Sequence, residues 1–169
     1  MGESGILTED DRVELLEGEL IQMSPLGPRH ASVVRRLTGL LVRRLGMAAV
    51  VSVQNPIALD DHSELQPDVT ILRPRRDAYA SHHPTPRDIL VLIEVMDTSH
   101  EYDRGRKLRR YAMNGIQEVW LVDLAAEAIE VHRRPARLGY RSISRYQRGQ
   151  RLHNAAFPTK WFRVNEILG

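Results

Sequence analysis

Cysteine is absent from the sequence of 169 residues, which excludes disulfides and thiolate metal sites such as zinc fingers. Aromatic residues amount to only 5%, a fraction that disfavours binding of single strands by stacking of bases on aromatic side chains. No apolar run is long enough to span a bilayer, and the opening residues, MGESGILTEDDRVELLEG, are acidic rather than typical of a signal peptide. A cytoplasmic protein without a membrane partner is therefore expected.

A strong net charge is also missing, because 24 lysine and arginine residues nearly balance 22 acidic ones. The basic residues are nevertheless grouped in three clusters, at 73–76, 104–110 and 133–151. Basic clusters in a balanced chain are typical of proteins that bind a polyanion such as nucleic acid. An arginine-rich surface that contacts only water gives the same pattern, so the clusters alone do not decide between the two interpretations.

The chain has the length of a single domain, 1–169, and its hydrophobic fraction of 42% is ordinary for a globular protein. For the first half, spacing and turn residues predict a helix over 9–16 capped by Thr8, a strand over 19–23, an amphipathic helix over 30–45, a strand over 48–59 kinked at Pro56, a loop over 60–64 and a strand over 66–74.

For the second half, the same signals predict a loop over 73–88, a doubly buried strand over 89–95, a helix over 103–113 capped by Asp103, a hairpin of strands 118–124 and 128–134, a β segment over 139–152 and a short C-terminal helix. The helix over 103–113 is expected to stop at Asn114-Gly115. This order of elements indicates an α/β (α+β) fold with a mixed central β-sheet flanked by helices.

Two carboxylates interrupt apolar strands: Asp68 near the start of the strand 66–74, and Glu94 near the end of the strand 89–95. Because consecutive strands are usually neighbours in a sheet, the two side chains are expected at one edge of it. Each acid alone is costly among Val, Ile and Leu, whereas together they are oxygen ligands of the kind that Mg²⁺ prefers. The structural alternative is that the acids cap turns or pair with arginines such as Arg104.

Lysine is scarce, since Lys107 and Lys160 are the only two among the 24 basic residues. A position that accepts any cation would be expected to hold arginine in this chain, so Lys107 is a candidate for chemistry that needs the compact ammonium group. It follows Asp103 by one helical turn and precedes Tyr111 by another, so the three share a face of the predicted helix. Asp103 itself is more readily explained as the helix cap.

Three segments together resemble the Uma2 family: VELLEGELIQMSPLGPRH, QPDVTILRP and LVLIEVMDTSHEYDRGRKLRRYAMNGIQEVWLVD. The resemblance extends from Asp11 to the C-terminus, and the family is assigned to the PD-(D/E)XK superfamily, which has the restriction-endonuclease-like fold. It implies that Asp68 and Glu94 are the metal-binding carboxylates. It also implies a third acid from the first predicted helix, with Glu14 as the first choice and Glu19 as the second.

The chain departs from the superfamily at Met96, which occupies the place, two residues after the second acid, where the general motif has lysine. Uma2 sequences resemble this one in that respect, and Lys107 is the candidate for the displaced catalytic lysine. The resemblance implies an endonuclease that uses Mg²⁺ (or Mn²⁺) to hydrolyse phosphodiester bonds of nucleic acid, DNA before RNA. The alternative is a catalytically inactive nuclease-fold protein that binds nucleic acid or a protein partner; an unrelated metal hydrolase or phosphatase ranks third.

The candidates for substrate contact are His30, Gln54 and Arg104. His30 follows a Gly-Pro turn at the start of a helix; it is a candidate for contact with phosphate, although a role in the turn is the favoured interpretation. Gln54 lies in the strand before Asp68 and is a candidate for orienting a water or the substrate. The pair at 82–83 has no acidic neighbour, so these two histidines are expected to be exposed rather than to bind zinc.

A twofold homodimer is expected, because cleavage of a duplex needs a cut in each strand and one chain supplies one site. The expected interface lies in the C-terminal part of the chain, at Tyr140 to Tyr146 and at Phe157, Trp161 and Phe162, which are predicted to be exposed. Trp120 is expected to pack in the core or an interface rather than to stack on bases.

Overall fold

A computed structural model describes residues 13–22, 27–97 and 101–169, with the backbone alone for Gln22 and for 101–104. Within these ranges the helices are α1 (Pro28–Leu45), α2 (Glu101–Met113) and α3 (Val164–Leu168). The strands are β1 (Val13–Leu16), β2 (Glu19–Gln22), β3 (Val50–Val53), β4 (Ile57–Asp60), β5 (Ser63–Leu65), β6 (Val69–Leu72), β7 (Ile89–Met96), β8 (Glu118–Asp123), β9 (Ala128–Ala136), β10 (Gly139–Gln147), β11 (Arg151–Leu152) and β12 (Phe162–Arg163).

A mixed sheet of six strands, in the order β10-β9-β8-β7-β6-β3, forms the centre of the molecule. Only the β7–β8 pair is parallel among the described strands, and α2 connects its two members as the crossover that a parallel pair requires. A smaller antiparallel sheet has the order β2-β1-β5-β4. The predicted α/β (α+β) fold, with helices flanking a mixed central sheet, is confirmed.

The apolar strand β7 lies in the interior of the large sheet and is buried on both faces, as the sequence predicts. Val91, Ile93 and Val95 join the core under α1, whereas Leu92 joins a second core with Tyr111 of α2. Because successive side chains of a strand point to opposite faces, Glu94 lies on the same face as Leu92. The two helices therefore cover opposite faces of the sheet, and Glu94 belongs to the α2 side.

Helix α1 begins at Pro28, two residues before the predicted start, and ends at Leu45 as predicted. Proline is favoured at this first position because the helix needs no hydrogen bond from its nitrogen there. Apolar residues buried at helical spacing hold the helix on the sheet, and Arg43 and Arg44 in the last turn face the negative end of the helix dipole.

The helix predicted over 9–16 is wrong for its described part, since Val13–Leu16 form strand β1. Glu17 and Gly18 both have positive φ, 55° and 81°, and close a two-residue hairpin in which Leu16 pairs with Glu19. Such a turn matches the twist of paired strands, so the Glu-Gly pair joins β1 to β2 rather than ending a helix. Residues 9–12 and Thr8 lie outside the described residues.

The strand predicted over 48–59 is in fact two strands that belong to different sheets, because β3 joins the large sheet and β4 the small one. The chain leaves β3 at Gln54, whose φ of 50° is in the left-handed region, and Pro56 follows two residues later. The loop predicted over 60–64 contains strand β5, which connects β4 with β1 in the small sheet.

The predicted cap of α2 is also wrong, because the helix begins at Glu101 and Asp103 lies inside its first turn. The end is as expected: Gly115 has a φ of 78°, and its nitrogen donates to the carbonyl of Ala112. The β8–β9 hairpin, the β segment of β10 and β11, and the C-terminal helix are confirmed. No helix among the described residues is long and apolar enough to cross a membrane.

Candidate active site

Gln54, Asp68 and Glu94 lie at the same end of the large sheet: Gln54 follows β3, Asp68 precedes β6 and Glu94 lies within β7. The last residue of β3, Val53, pairs with Val69, and Val69 pairs with Ile93. Each site residue is the chain neighbour of one of these paired residues on the same side: Gln54 follows Val53, Asp68 precedes Val69 and Glu94 follows Ile93. The backbone nitrogen of Gln54 donates to the carbonyl of Asp68. The pairing of consecutive strands that the sequence predicts thus brings both acids to one end of the sheet.

Asp68 is buried, with 8% of its surface exposed, and both of its carboxylate oxygens accept hydrogen bonds. Oδ2 lies 3.0 Å from Nε2 of His30 and accepts the backbone N–H of Val95 at 2.8 Å. Oδ1 accepts the side-chain N–H of Gln54 at 3.3 Å. Burial alone would lower the pKa of His30, but the hydrogen bond to Asp68 and the negative charge of that group raise it above its ordinary value.

Glu94 is partly buried on the α2 side, with 15% of its side chain exposed, and the hydroxyl of Tyr111 donates to its Oε1 at 2.6 Å. Burial raises the pKa of Glu94 to about 7, and the charges of Asp68 and Glu14 act in the same direction, against the opposing effects of Lys107 and Tyr111. Burial disfavours the charged form of a carboxyl group, and neighbouring negative charges add to that effect.

Lys107 projects from α2 toward the same place. Its Nζ lies 2.7 Å from Oε2 of Glu14 and 3.8 Å from Oε1 of Glu94. Burial lowers the pKa of Lys107, but the two carboxylates outweigh this effect and raise the pKa above its ordinary value. The ammonium is therefore charged near neutral pH, as a lysine surrounded by acids is expected to be.

Glu14 is buried, with 3% of its surface exposed, and lies on strand β1 rather than on a helix. Its Oε1 accepts the backbone N–H of Gln66 at 2.9 Å, and its Oε2 contacts Lys107. Glu19, the second choice for a third acid, lies at the surface, where its carboxylate accepts a hydrogen bond from Arg106 at 3.1 Å. Of the two, Glu14 is the one that reaches the Lys107–Glu94 pair.

The donor set suits a hard divalent cation held by two carboxylates. Mg²⁺ takes one or two carboxylates from a protein and completes its shell with water and phosphate oxygens, and Asp68 and Glu94 provide such a pair. No group of three His, Asp or Glu side chains with metal-binding geometry occurs among the described residues. Glu14 fits better as the partner that holds Lys107 than as a third ligand, because the ammonium 2.7 Å from its Oε2 repels a second cation at that oxygen.

The structure describes the side chains of most of the other candidate residues, but not that of Arg104. His30 and Gln54 contact Asp68 directly. The side chain of Arg104 lies outside the described residues, so its predicted contact with substrate stays a prediction. His82 and His83 are exposed, as expected.

Tyr111, which shares the helix face of Lys107, contributes its hydroxyl to the site, a role that was not predicted from the sequence. The signal was present in that spacing, since a tyrosine one turn beyond Lys107 on a buried helix face needs a hydrogen-bond partner for its hydroxyl, and Glu94 provides it. The backbone N–H groups of Val95 and Gln66 donate to Asp68 and Glu14, respectively. These contacts could not be predicted from the sequence, because every residue except proline carries a backbone N–H group.

The predicted dimer interface needs one correction. Phe162 is fully buried and packs edge to face on Trp120, at 5.7 Å between ring centroids, so it belongs to the core. Phe157 is partly buried against the same core. Trp161 remains exposed at 41%.

Comparison with known proteins gives a family and a fold. A family model described as "Uma2: Putative restriction endonuclease" matches residues 4–165. Among solved structures, a protein from Anabaena variabilis ATCC 29413, entitled "a putative nuclease belonging to DUF820", superposes with a TM-score of 0.76 over 98% of this chain and 94% of that one, at 13% identity. That likeness shows a shared fold. No curated protein matches the sequence.

Proposed function

We propose that this chain, which belongs to the Uma2 family, is a metal-dependent endonuclease that hydrolyses phosphodiester bonds of nucleic acid, with DNA as the expected substrate. The observation that carries the proposal is the placement of Asp68, Glu94 and Lys107. Two buried acids at one end of paired strands, with a charged lysine 3.8 Å from one of them, suit the stabilisation of a phosphate in reaction. The whole chain, 1–169, is proposed to act as one domain.

Asp68 and Glu94 are the residues that would hold the cation, which we propose to be Mg²⁺ or Mn²⁺. Such an ion neutralises negative charge on the phosphate and lowers the pKa of a bound water. His30 and Gln54 orient the Asp68 carboxylate through their hydrogen bonds, and Tyr111 orients that of Glu94. Each acid therefore has a fixed direction before substrate arrives.

Lys107 acts as a fixed positive charge rather than as a base. Its raised pKa keeps the proton on the ammonium, so the group is suited to stabilising negative charge that develops on a phosphate oxygen. Glu14 holds this ammonium at 2.7 Å and orients the lysine side chain. The lysine that the general motif places two residues after the second acid is thus replaced, in our proposal, by Lys107 from α2.

The contact with Glu14 also supports a second candidate function. If Lys107 stays on Glu14 when substrate binds, the site can still hold the metal ion, but the lysine ammonium does not reach the phosphate. The chain would then be a catalytically inactive nuclease-fold protein that binds nucleic acid or a protein partner. Metal-dependent cleavage decides between the two functions.

We further propose a twofold homodimer, because one site per chain cuts one strand of a duplex. Strand β10 is the surface that best supports it: nine residues long, it lies at the edge of the large sheet and has no partner on its outer side among the described strands. Exposed edges of this kind pair readily with another chain. A monomer at micromolar concentration in light scattering would contradict the dimer but not the nuclease.

The test of the function is a cleavage assay with purified protein on duplex DNA, single-stranded DNA, duplex RNA and single-stranded RNA, each with Mg²⁺, with Mn²⁺ and with chelator. We expect cleavage of at least one DNA form that requires the metal and is lost in Asp68→Asn. The matched control is Asp61→Asn, an exposed acid in the turn before β5. Failure to cut every substrate with either metal would favour the inactive alternative.

A further inference from the structure

A cavity of about 350 Å³ opens beside the candidate active site and has no part in the roles assigned so far. It lies between strand β3 and the loop that leads from β6 to β7, and its lining includes Val50, Ser52, Asn55, Tyr79 and His83. The lining combines apolar, amide, hydroxyl and aromatic groups, and no charged side chain lines it among the described residues. Such a lining suits a neutral, partly polar ligand rather than a phosphate.

The cavity and Glu94 lie on the same face of the sheet. Ser52 pairs with Thr70 and Thr70 with Leu92. Ser52 and Leu92 stand two residues before Gln54 and Glu94, whereas Thr70 stands two residues after Asp68, because β6 is antiparallel to both neighbouring strands. Asn55, which lines the cavity, follows Gln54 directly in the chain, so the cavity begins one residue from Gln54. Gln54 in turn donates to Asp68, so the cavity adjoins the site through one residue.

The wall formed by Tyr79 is held in place by an unusual loop. Ala78 and Tyr79 both have positive φ, 47° and 66°, which is costly for residues with a Cβ. Asp77 accepts hydrogen bonds from Arg75, from Ser81 and from the backbone of Tyr79, and these fix the turn. The Tyr79 hydroxyl donates to the carbonyl of Arg73 at 2.7 Å, and the Arg75 guanidinium lies 4.9 Å from the ring centroid. A surface loop fixed in this way offers a preorganised aromatic surface.

The polar groups of the cavity match the edge of a base. The Asn55 side-chain N–H donates to Oγ of Ser52 at 3.0 Å, which leaves the Ser52 hydroxyl proton and the Asn55 carbonyl oxygen for a ligand. A neighbouring donor and acceptor are what an amide-like heterocycle edge requires. An aromatic side chain beside them supplies the stacking surface that unpaired bases use.

We propose that this cavity receives one unstacked nucleobase of the substrate, while the adjacent phosphate lies at the acid pair and Lys107. The proposal rests on the proposed function, since it assigns the neighbouring phosphate to the same site. The base would be recognised by edge strand β3 and the loop of Tyr79. This edge of the large sheet lies across from strands β9 and β10, which α2 contacts. Arg73, which is exposed at the start of the loop, supplies positive charge for a flanking phosphate.

The experiment is an NMR titration of the ¹⁵N-labelled, metal-free protein with each of the four deoxynucleoside 5′-monophosphates and with a short single-stranded oligonucleotide. We expect saturable shifts of the amides of Ser52, Asn55 and Tyr79 with at least one nucleotide. Tyr79→Leu should weaken this binding about tenfold and Asn55→Ala about threefold. Gln147→Ala, which removes an exposed amide from β10 at the far edge of the sheet, is the matched control and should bind as the wild type does.

Tyr79→Phe keeps the ring and the packing, so it serves if Tyr79→Leu is unstable, and it should retain most of the affinity. Pocket amides that do not respond to any nucleotide, or affinities that are equal in wild type, Tyr79→Leu and Asn55→Ala, would overturn the proposal. Because no metal is present, binding is read independently of cleavage. A protein that cuts DNA without pocket shifts refutes only the base pocket, and pocket shifts without any cleavage refute only the nuclease.

Discussion

The Nζ atom of Lys107 lies 2.7 Å from Oε2 of Glu14, 1.1 Å closer than the 3.8 Å that separate it from Oε1 of Glu94. The lysine thus joins two buried acids that come from different sheets, since Glu14 belongs to β1 of the small sheet and Glu94 to β7 of the large one. This relationship changes the interpretation of the third acid. We therefore propose that Glu14 positions the Lys107 ammonium and that Asp68 and Glu94 hold the metal.

Glu14→Gln should therefore separate activity from metal binding. Removal of one negative charge beside Lys107 loosens the lysine but leaves the proposed ligands intact, so Mn²⁺ affinity should change by less than about threefold while the rate of cleavage falls about tenfold or more. Titration of Mn²⁺ by electron paramagnetic resonance, paired with a cleavage assay, measures both. Loss of Mn²⁺ binding in Glu14→Gln, to the extent seen in Glu94→Gln, would show that Glu14 is a ligand.

The pKa of Glu94 makes the stability of the metal-free protein depend on pH. The pKa of Glu94 is about 7 in the folded chain and 4.5 when the group is exposed to water, so the folded state binds the proton more tightly. The stability that this proton contributes is complete below about pH 4.5 and is lost as pH rises through about 7. We expect the free energy of unfolding to fall by about 1–3 kcal/mol between pH 5 and pH 8 on this account.

Urea unfolding of the metal-free protein at several pH values measures this effect. Glu94→Gln cannot titrate and should show a flatter profile over the same range, with greater stability than the wild type at pH 8. A wild-type profile as flat as that of Glu94→Gln would contradict the raised pKa. Addition of Mn²⁺ should restore stability to the wild type at pH 8 and not to the variant, because only a deprotonated carboxylate binds the ion.

His30 is expected to stabilise the fold as well as the site. His30→Ala removes the donor to Oδ2 of a buried carboxylate, so we expect a loss of about 1–3 kcal/mol in the free energy of unfolding and weaker Mn²⁺ binding. His30→Gln, which offers an N–H group of similar reach, should recover part of both. The control is His62→Ala, whose side chain is exposed in the turn before β5. Equal stability of His30→Ala and the wild type would refute the role.

The placement of Asp68 and Glu94 at one end of the sheet could be predicted from the sequence, because each acid interrupts an apolar segment. Glu94 lies within β7 and Asp68 directly precedes β6, and the pairing of these consecutive strands brings the two residues to the same end. Lys107 was visible for a different reason, namely that lysine is rare in this chain. In each case the inference depended on a local contrast between a residue and its neighbours.

The strand that carries Glu14 and the contact of Glu14 with Lys107 could not be predicted from the sequence. Its strand was predicted as a helix because Thr8 and Gly18 offered plausible caps, and the positive φ of Glu17, on which the hairpin depends, leaves little trace in residue type. The contact between Glu14 and Lys107 joins residues 93 positions apart, one on β1 of the small sheet and one on helix α2, and it depends on how these two elements pack. Nothing in either segment alone specifies it.

Glu118 provides a contrast among buried acids. It is 1% exposed and accepts hydrogen bonds from Trp120, Arg133 and the backbone of Ala155, so it is a structural ion pair away from the site. Glu118→Ala leaves Arg133 without its partner and should destabilise the protein by about 3–5 kcal/mol. Residual folded protein at low temperature should still bind Mn²⁺ as the wild type does. A specific loss of Mn²⁺ binding in folded Glu118→Ala would mean that the metal site is elsewhere.

The most direct test of the account compares metal-dependent cleavage of one substrate by the wild type, Glu94→Ala and Lys107→Arg. Glu94→Ala removes a proposed ligand, and Lys107→Arg keeps the charge but replaces a compact ammonium by a larger planar group. The account predicts that the wild type cuts with Mn²⁺ and that both variants lose most of the activity while remaining folded. Cleavage by Lys107→Arg at the wild-type rate would reduce Lys107 to a structural cation, and equal cleavage by Glu94→Ala would contradict the site itself.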